Sequence, residues 1–187
     1  MSVLREELLA DRAVALAGGV PATVRGVLER LGARVEVVDA EEVAGEDEDR
    51  VGEWARAKAP IHAVVYDAGP SFDRGGEDAL SGSLERGWVA IREVAAGALI
   101  PGEGPGKVVM VGPRPDAGPL ADAARAGLEN LARTLSVEWA RHGVTAVMVA
   151  PDSRTTDEEL AELVCFLVST AGEYLSGCRL ELGAVAR

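Results

Sequence analysis

The sequence predicts an α/β protein in which a doubly wound parallel sheet of about six strands carries helices on both faces. Short apolar runs without polar alternation recur along the chain, which is typical of strands buried on both faces. Segments of helix length lie between these runs, and right-handed crossovers of that kind place helices on both sides of a parallel sheet. The predicted strands comprise residues 12–17, 34–39, 61–66, 107–112, 145–150 and a last strand that begins at Cys178.

The length and charge of the chain restrict its class. Its 187 residues suit a single domain, residues 1–187, better than two. The 31 acidic and 19 basic residues give a net charge of −12, and a surface that repels phosphates argues against nucleic acid or an anionic membrane as partner. The first residues lack the apolar core of a signal peptide, and no run approaches the roughly 18–20 apolar residues needed to cross a bilayer. We therefore expect a cytoplasmic protein.

The cysteines and histidines give no sign of a disulfide or a metal site. Cys165 lies within the apolar run LVCFLV and Cys178 begins the last strand, so both are expected to be buried thiols. His62 and His142 each stand alone, without cysteine or acidic residues at ligand spacing. We expect no bound metal.

The beginning of the chain follows the plan of a dinucleotide-binding unit, in which backbone N–H groups at the start of a helix receive a pyrophosphate. The strand 12–17 ends at Gly18 and Gly19, and a helix is predicted over 21–31. Strand, glycine turn and helix therefore stand in the order that such a unit requires.

Asp39 ends the second strand, where an acidic residue could hold a ribose hydroxyl. It also adjoins the acidic stretch 40–50, as a solvated loop residue would, and the sequence leaves both interpretations open. A helix predicted over 47–58 then leads to the strand 61–66.

Residues 84–100 are predicted to form an almost entirely apolar helix that contains Trp88 and ends before Pro101. A helix that is apolar on most sides is expected to be buried on most sides, here by the sheet and by another subunit. The preceding stretch 71–82, rich in glycine and serine, is predicted to be a loop.

Residues 118–144 form the longest periodic segment and are predicted to be one long helix. A proline near its start suits a first helical turn, and a glycine near its end suits a stop. Arg125, Glu129 and Arg133 are expected to form an i,i+4 ladder beside the apolar stripe. The stripe comprises Leu120, Ala124, Gly127, Leu128, Leu131, Leu135 and Trp139.

The amino-acid sequence of this helix resembles that of a helix in one particular family. Its run Ala-Gly-Leu-Glu-Asn-Leu, followed by Thr-Leu-Ser-Val-Glu-Trp-Ala, resembles the helix that carries the Tyr-x-x-x-Lys pair of short-chain dehydrogenases/reductases, especially the acyl-carrier-protein reductase branch. The resemblance extends over 12–185, strongly from Pro119 onward and weakly before it. Tyr-Asp-Ala-Gly at 66–69 resembles the family's Asn-Asn-Ala-Gly, and 173–183 resembles its terminal segment. The resemblance implies a Rossmann-like fold, NAD or NADP as cofactor, and reduction of a carbonyl compound.

The catalytic positions of that family are changed in this chain. The resemblance places Trp88 near the slot of the catalytic asparagine and Pro113 in the slot of the serine. It places Ala121 in the slot of the tyrosine and Arg125 in that of the lysine. Every group that donates, orients or relays the proton in the family's reaction is therefore replaced. An arginine keeps the charge of the lysine but cannot relay a proton at neutral pH.

The nucleotide-binding positions are kept only in part, because the turn after the first strand is shorter by about three residues and lacks the later glycines. One βα unit and the segment that covers the substrate are also missing. The strand 35–39 therefore stands in for either the second or the third strand of the family. The positions that correspond to nucleotide-binding ones are Gly18, Gly19, Asp39, Asp67 and Gly69.

Two functions are compatible with these features. The favoured one is a relic without cofactor or catalytic activity that serves as a scaffold or regulator. It would be a homodimer or homotetramer formed through helices 84–100 and 119–142 and the C-terminal strand, with a full-length homologue as a further partner.

The alternative is an NAD(P)-dependent oxidoreductase of altered mechanism, acting on a small carbonyl or hydroxy compound, in which Tyr66 or Asp67 supplies the proton. The relic hypothesis instead expects Tyr66 to fill the space left by a missing nucleotide. It expects Arg125 to serve only the charged ladder.

Overall fold

The computed structural model describes residues 4–38, 49–73 and 78–183, and Asp39 lies outside this part of the chain. Its strands are β1 Ala13–Ala17, β2 Arg34–Val37, β3 Ala63–Asp67, β4 Gly106–Val111, β5 Val144–Pro151 and β6 Cys178–Leu182. Its α-helices are α1 Ala22–Arg30, α2 Asp49–Ala57, α3 Gly69–Asp73, α4 Ala79–Val94, α5 Ala121–Glu138 and α6 Asp157–Val168. A π-helical turn, Ala95–Leu99, extends α4, and 3-10 turns at Ala140–His142 and Thr170–Gly172 follow α5 and α6.

The six strands form one parallel sheet in the order β2-β1-β3-β4-β5-β6. The predicted doubly wound parallel sheet is thereby confirmed. The order reverses between β1 and β3, and open sheets of this kind bind ligands outside the carboxyl ends of the strands at such a reversal.

The place of β2 decides between the two alternatives left open for the strand 35–39. It pairs directly with β1, and the Val38 N–H donates to the Leu16 carbonyl at 2.8 Å. In the order 3-2-1-4-5-6 typical of dinucleotide-binding sheets, the neighbour of the first strand is the second. The described strand therefore takes the second place, and no described strand takes the third.

Alternate residues of each strand supply two separate cores, as expected for a sheet covered on both faces. Val108 and Met110 of β4 belong to the core beneath α2, α4 and α5. Val109 and Val111 belong to the core beneath α1 and α6. This arrangement leaves the carboxyl edge of the sheet, where the helices α1 and α6 begin, to build a site.

Two helix predictions need correction. Helix α4 begins at Ala79, so the loop predicted over 71–82 is wrong for its last residues, and α3 occupies Gly69–Asp73. Helix α5 begins at Ala121 instead of Pro119. Leu120 is 37% exposed, and the buried stripe of α5 is rotated toward smaller residues. The buried residues of α5 are Ala121, Ala124, Arg125, Leu128, Ala132 and Leu135.

Both edge strands carry an arginine and a glutamate two residues apart. Arg34 and Glu36 of β2 pair at 2.6 Å, and Lys58 reaches Glu36 at 3.0 Å. Hydrogen bonding to Lys58, and then to Arg34, holds the pKa of Glu36 below its ordinary value. Arg179 and Glu181 of β6 also pair at 2.6 Å. Each outer strand of the described sheet is therefore charged.

Among the residues that the structure describes, no helix combines the length and the apolar character needed to cross a membrane.

Candidate functional site

A cleft of about 410 Å³ lies at the carboxyl edge of the sheet, where the strand order reverses. This volume falls in the range of small-molecule sites. The turn after β1, the ends of β3, β4 and β5, and the start of α6 enclose it. Its lining residues are Gly19, Pro21, Asp67, Gly69, Pro70, Val111, Gly112, Arg114, Asp116, Ala117, Pro151, Asp157 and Leu160.

The turn between β1 and α1 consists of two glycines in the left-handed region, Gly18 at φ +82° and Gly19 at φ +88°. A side chain at Gly18 would collide with the Asp67 carbonyl and would place its Cβ 2.7 Å from Cε2 of Tyr66. Only glycine therefore satisfies both the backbone conformation and the space at Gly18.

Tyr66 lies inside the protein and not in the cleft. It is 1% exposed, and its hydroxyl donates a 2.6 Å hydrogen bond to the Ser83 carbonyl of α4. Its ring packs against both Gly18 and Gly87, where an added Cβ would come within 2.7 Å and 2.6 Å of ring carbons. The hypothesis that Tyr66 supplies a proton to a ligand in the cleft is therefore not supported by its position. The expectation that it fills internal space agrees with this geometry.

Asp67 and Gly69 do meet at the cleft, as the sequence predicts for positions at the end of the same strand. Asp67 is 6% exposed, and its Oδ1 accepts a 2.8 Å hydrogen bond from the Gly69 N–H. This bond bends the chain away from β3 and fixes the carboxylate at the wall of the cleft. Of the two proposed acids, Asp67 alone lines this cavity.

Arg125 corrects the expectation of a surface ladder. Its side chain is only 6% exposed, and Nη1 donates to the carbonyls of Pro113 at 3.1 Å and Pro151 at 2.8 Å. Nη2 lies 3.5 Å from the Glu181 carboxylate on β6, and Nε is buried without a hydrogen-bond partner.

The guanidinium of Arg125 thus joins the segment after β4 to the ends of β5 and β6. Glu129 pairs instead with Arg133 at 2.5 Å and with Arg179 at 3.4 Å. Of the predicted ladder, the Glu129–Arg133 pair is therefore present and the Arg125–Glu129 pair is not.

The remaining positions that the resemblance assigns to catalysis carry no titratable side chain. Ala121 is fully buried at the start of α5. Pro113 contributes only its carbonyl, which accepts from Arg125. Trp88 packs against the core beneath α4, and the Arg92 guanidinium lies 5.7 Å from its ring centroid. These residues pack, and none offers a proton.

Arg114 is a cleft residue that the sequence reasoning missed. It follows β4 in Gly-Pro-Arg-Pro, and its side chain is one-third exposed. Nη1 donates to the carbonyls of Asp152 at 2.9 Å and Thr155 at 2.5 Å, and Nη2 lies 3.5 Å from Oδ1 of Asp157. A cation directly after a buried strand of a parallel sheet is a signal that could have identified it.

A second, smaller cavity of about 230 Å³ lies on the other side of Gly19. Val37 and Val38 at the end of β2 form its wall together with Arg25 of α1. Arg25 is half exposed and pairs with Glu29 at 2.8 Å. The glycine turn therefore separates two cavities along the same edge of the sheet.

The thiols and the histidines lie away from the cleft. Cys165 is buried as predicted, and desolvation raises its pKa to about 12, which makes it a poor nucleophile. Cys178 is only partly buried, contrary to the expectation. His62 accepts a 2.9 Å hydrogen bond from the Ala13 N–H. The described residues contain no group of three or more potential metal ligands.

The sheet order and the helices on both faces define a Rossmann-like α/β fold, and comparisons with solved structures agree. The chain shows the fold of the citronellol catabolism dehydrogenase AtuB of Pseudomonas aeruginosa PAO1, with a TM-score of 0.77, 23% identity and 98% of both chains covered.

It is also similar to a putative NAD(P)-dependent gluconate 5-dehydrogenase from Beutenbergia cavernae with bound NADP, with a TM-score of 0.75, 19% identity, and 95% of this chain and 97% of that chain covered. An oxidoreductase of the short-chain dehydrogenase/reductase family from Burkholderia thailandensis gives a TM-score of 0.70, 20% identity, and 92% and 91% covered. No protein-family profile and no curated protein sequence matches the chain. At these identities the likeness establishes the fold.

Proposed function

We propose that this chain is a short-chain dehydrogenase/reductase-type protein that has lost the family's reductase chemistry and serves as an oligomeric scaffold or regulator. The observation that carries the proposal is the burial of the Arg125 side chain and its hydrogen bonding to backbone carbonyls. A lysine that assists catalysis must face the reacting groups, whereas this guanidinium is buried and bound to the carbonyls of Pro113 and Pro151. It holds strand ends together in place of a tyrosine–lysine pair.

The supply of protons supports the same conclusion. Reduction of a carbonyl needs a general acid within hydrogen-bond reach of the oxygen that it protonates. The lining of the large cleft includes no tyrosine, histidine, serine or threonine among the described residues. Its charged side chains are one arginine and three aspartates, and of these aspartates only Asp67 is nearly buried.

The structural role would use the outer faces of α4 and α5. Leu120, directly before α5, and Val137, within it, are 37% and 74% exposed, which offers apolar area to a second copy of the chain. We propose a homodimer or homotetramer through these two helices and β6, with a full-length homologue as a further partner, in the cytoplasm. Equilibrium sedimentation tests the assembly, and a strict monomer at all concentrations would count against it.

The loss of chemistry is tested by rebuilding the site. The wild-type chain and a variant with Pro113→Ser, Ala121→Tyr and Arg125→Lys are assayed for oxidation of NADH and NADPH with a panel of small ketones and aldehydes. We expect no turnover above the buffer rate for wild type. Any turnover by the wild-type chain would refute the proposal, and turnover that Asp67→Asn leaves unchanged would also exclude Asp67 as the acid.

A second candidate is an NAD(P)-dependent oxidoreductase of altered mechanism, acting on a small carbonyl or hydroxy compound, as the nucleotide-bound structural neighbour suggests. The observation that favours it is the position of Asp67, a nearly buried carboxyl at the wall of the cleft. A carboxyl at this wall lies where it could give a proton to a molecule bound in the cleft. Turnover that disappears in Asp67→Asn would support this candidate over the first.

A further inference from the structure

We infer that the cleft of this chain rejects the pyrophosphate of NAD(P), because the groups that would receive it now pack or repel. The inference rests on the proposed relation to dinucleotide-binding reductases, and it extends that proposal from the chemistry to the cofactor. The residues that bear on it are the glycine turn, Pro21, and the charged groups of the cleft.

The space that a side chain would take at each glycine of the turn is filled by the protein itself. In dinucleotide sites a glycine lets the backbone approach the pyrophosphate closely. Here the open side of Gly18 faces the Asp67 carbonyl and the ring of Tyr66, at 2.7 Å from the position of a Cβ. The open side of Gly19 faces Pro70, whose Cγ lies 3.0 Å from that position. Internal packing therefore explains why a side chain is excluded at both positions, and the glycines do not by themselves indicate a phosphate site.

The start of α1 has also lost a donor. Pro21 occupies the N-cap position and lines the cleft, and no side chain caps the helix. Phosphates bind at helix starts through successive backbone N–H groups, and proline has none. At Pro21, a phosphate site would use a backbone N–H donor, and this chain has a proline ring without one.

The charge of the cleft opposes a phosphate as well. Among the described residues that line it, the acidic ones are Asp67, Asp116 and Asp157 and the basic one is Arg114. That guanidinium binds the Asp152 and Thr155 carbonyls, and its other amino group lies 3.5 Å from Asp157. A doubly charged pyrophosphate would enter a half-enclosed space with an excess of negative charge. The cleft therefore suits a small molecule that is free of phosphate and neutral or cationic.

The test removes charge from the cleft and, as a matched control, from the opposite edge of the sheet. NADH and NADPH are titrated by calorimetry into wild type, Asp116→Asn with Asp157→Asn, and Asp11→Asn with Glu103→Gln. The control pair precedes β1 and β4, at the amino ends of the strands. Both variants change the net charge equally, and circular dichroism checks that both are folded.

We expect no saturation of wild type or the control at millimolar nucleotide. We expect the cleft variant to bind more tightly, by about tenfold for each carboxylate removed. Micromolar binding by wild type would overturn the inference. A cleft variant that binds the nucleotide no more tightly than the control variant, or that does not bind it at all, would overturn it too. Tight binding without turnover would overturn this inference alone and leave the proposed loss of chemistry standing, whereas turnover by wild type would overturn that proposal.

Discussion

Replacement of Arg125 by methionine should destabilise the chain because the guanidinium holds three strand ends together. Methionine keeps most of the side-chain volume and removes the donors to the carbonyls of Pro113 and Pro151. A hydrogen bond from a charged donor contributes about 1.5–3 kcal/mol, so the gross loss is roughly 3–6 kcal/mol.

Part of this loss is offset. The buried Nε of Arg125 has no partner, and removing such a group recovers about 1–3 kcal/mol. The Glu181 carboxylate at 3.5 Å is 63% exposed and adds little. The expected net change in the free energy of unfolding is therefore about 2–3 kcal/mol, which lowers the melting temperature by roughly 5–10 °C for a chain of this length.

Urea unfolding followed by tryptophan fluorescence measures this change, and Arg133→Met is the matched control. Arg133 lies on the same helix, but its side chain is 64% exposed and pairs with Glu129 at the surface, so its loss should cost less than about 0.5 kcal/mol. Equal stability of the two variants would refute the view that Arg125 has become a structural clamp. A stable Arg125→Met protein would also return that position to the candidates for catalysis.

Three further predictions concern stability. Burial, with the charges of Arg12 and Arg34, lowers the pKa of His62. Stability should therefore fall as the pH drops below about 6.5, because the unfolded chain then binds the proton more readily. His62→Asn keeps an acceptor for the Ala13 N–H and should remove this pH dependence, as measured by urea titrations. Burial lowers the pKa of Lys107 from 10.5 to about 8, so stability should rise by up to about 3 kcal/mol between these two pH values, and a flat profile would contradict this. Thr156→Ala should cost about 1 kcal/mol in thermal unfolding and Thr156→Ser almost nothing, because Thr156 caps α6.

The strands and their order of appearance could be predicted because a strand buried on both faces is uniformly apolar. All six predicted strands are present, with ends that differ by one or two residues. The capping box of Thr156 and Glu159 was also predictable, since both partners lie within one helical turn. Local signals of this kind do not depend on distant parts of the chain.

The face of α5 was less predictable because alanine is a weak signal of burial. The predicted stripe follows the leucines and Trp139, whereas the helix also buries Ala121, next to Phe72 and Ala79, and Ala132 in the core beneath α4. This rotation of the buried stripe also carries Arg125 inward. Its partners, Pro113 and Pro151, lie far along the chain, and no pattern within α5 indicates them.

The site was predictable in its location and only partly in its members. Asp67 and Gly69 follow a strand at the carboxyl edge, so their place in the cleft follows from topology. Tyr66 precedes them by one residue, and successive side chains of a strand point to opposite faces, which sends its ring inward. Arg114 was not predicted, because the family resemblance concerned only the neighbouring position 113, where a proline replaces the catalytic serine. The prediction for Asp39 lies outside the described residues.

The paired charges on the outer strands have a consequence for the behaviour of the chain in solution. An open sheet exposes unpaired N–H and C=O groups on its last strands, and these can recruit strands of other molecules into aggregates. Arg34 with Glu36 on β2, and Arg179 with Glu181 on β6, set an ion pair beside each of these edges. An incoming strand would have to desolvate or break that pair before its own backbone could bind. Each edge of the described sheet thus carries its own protection against aggregation.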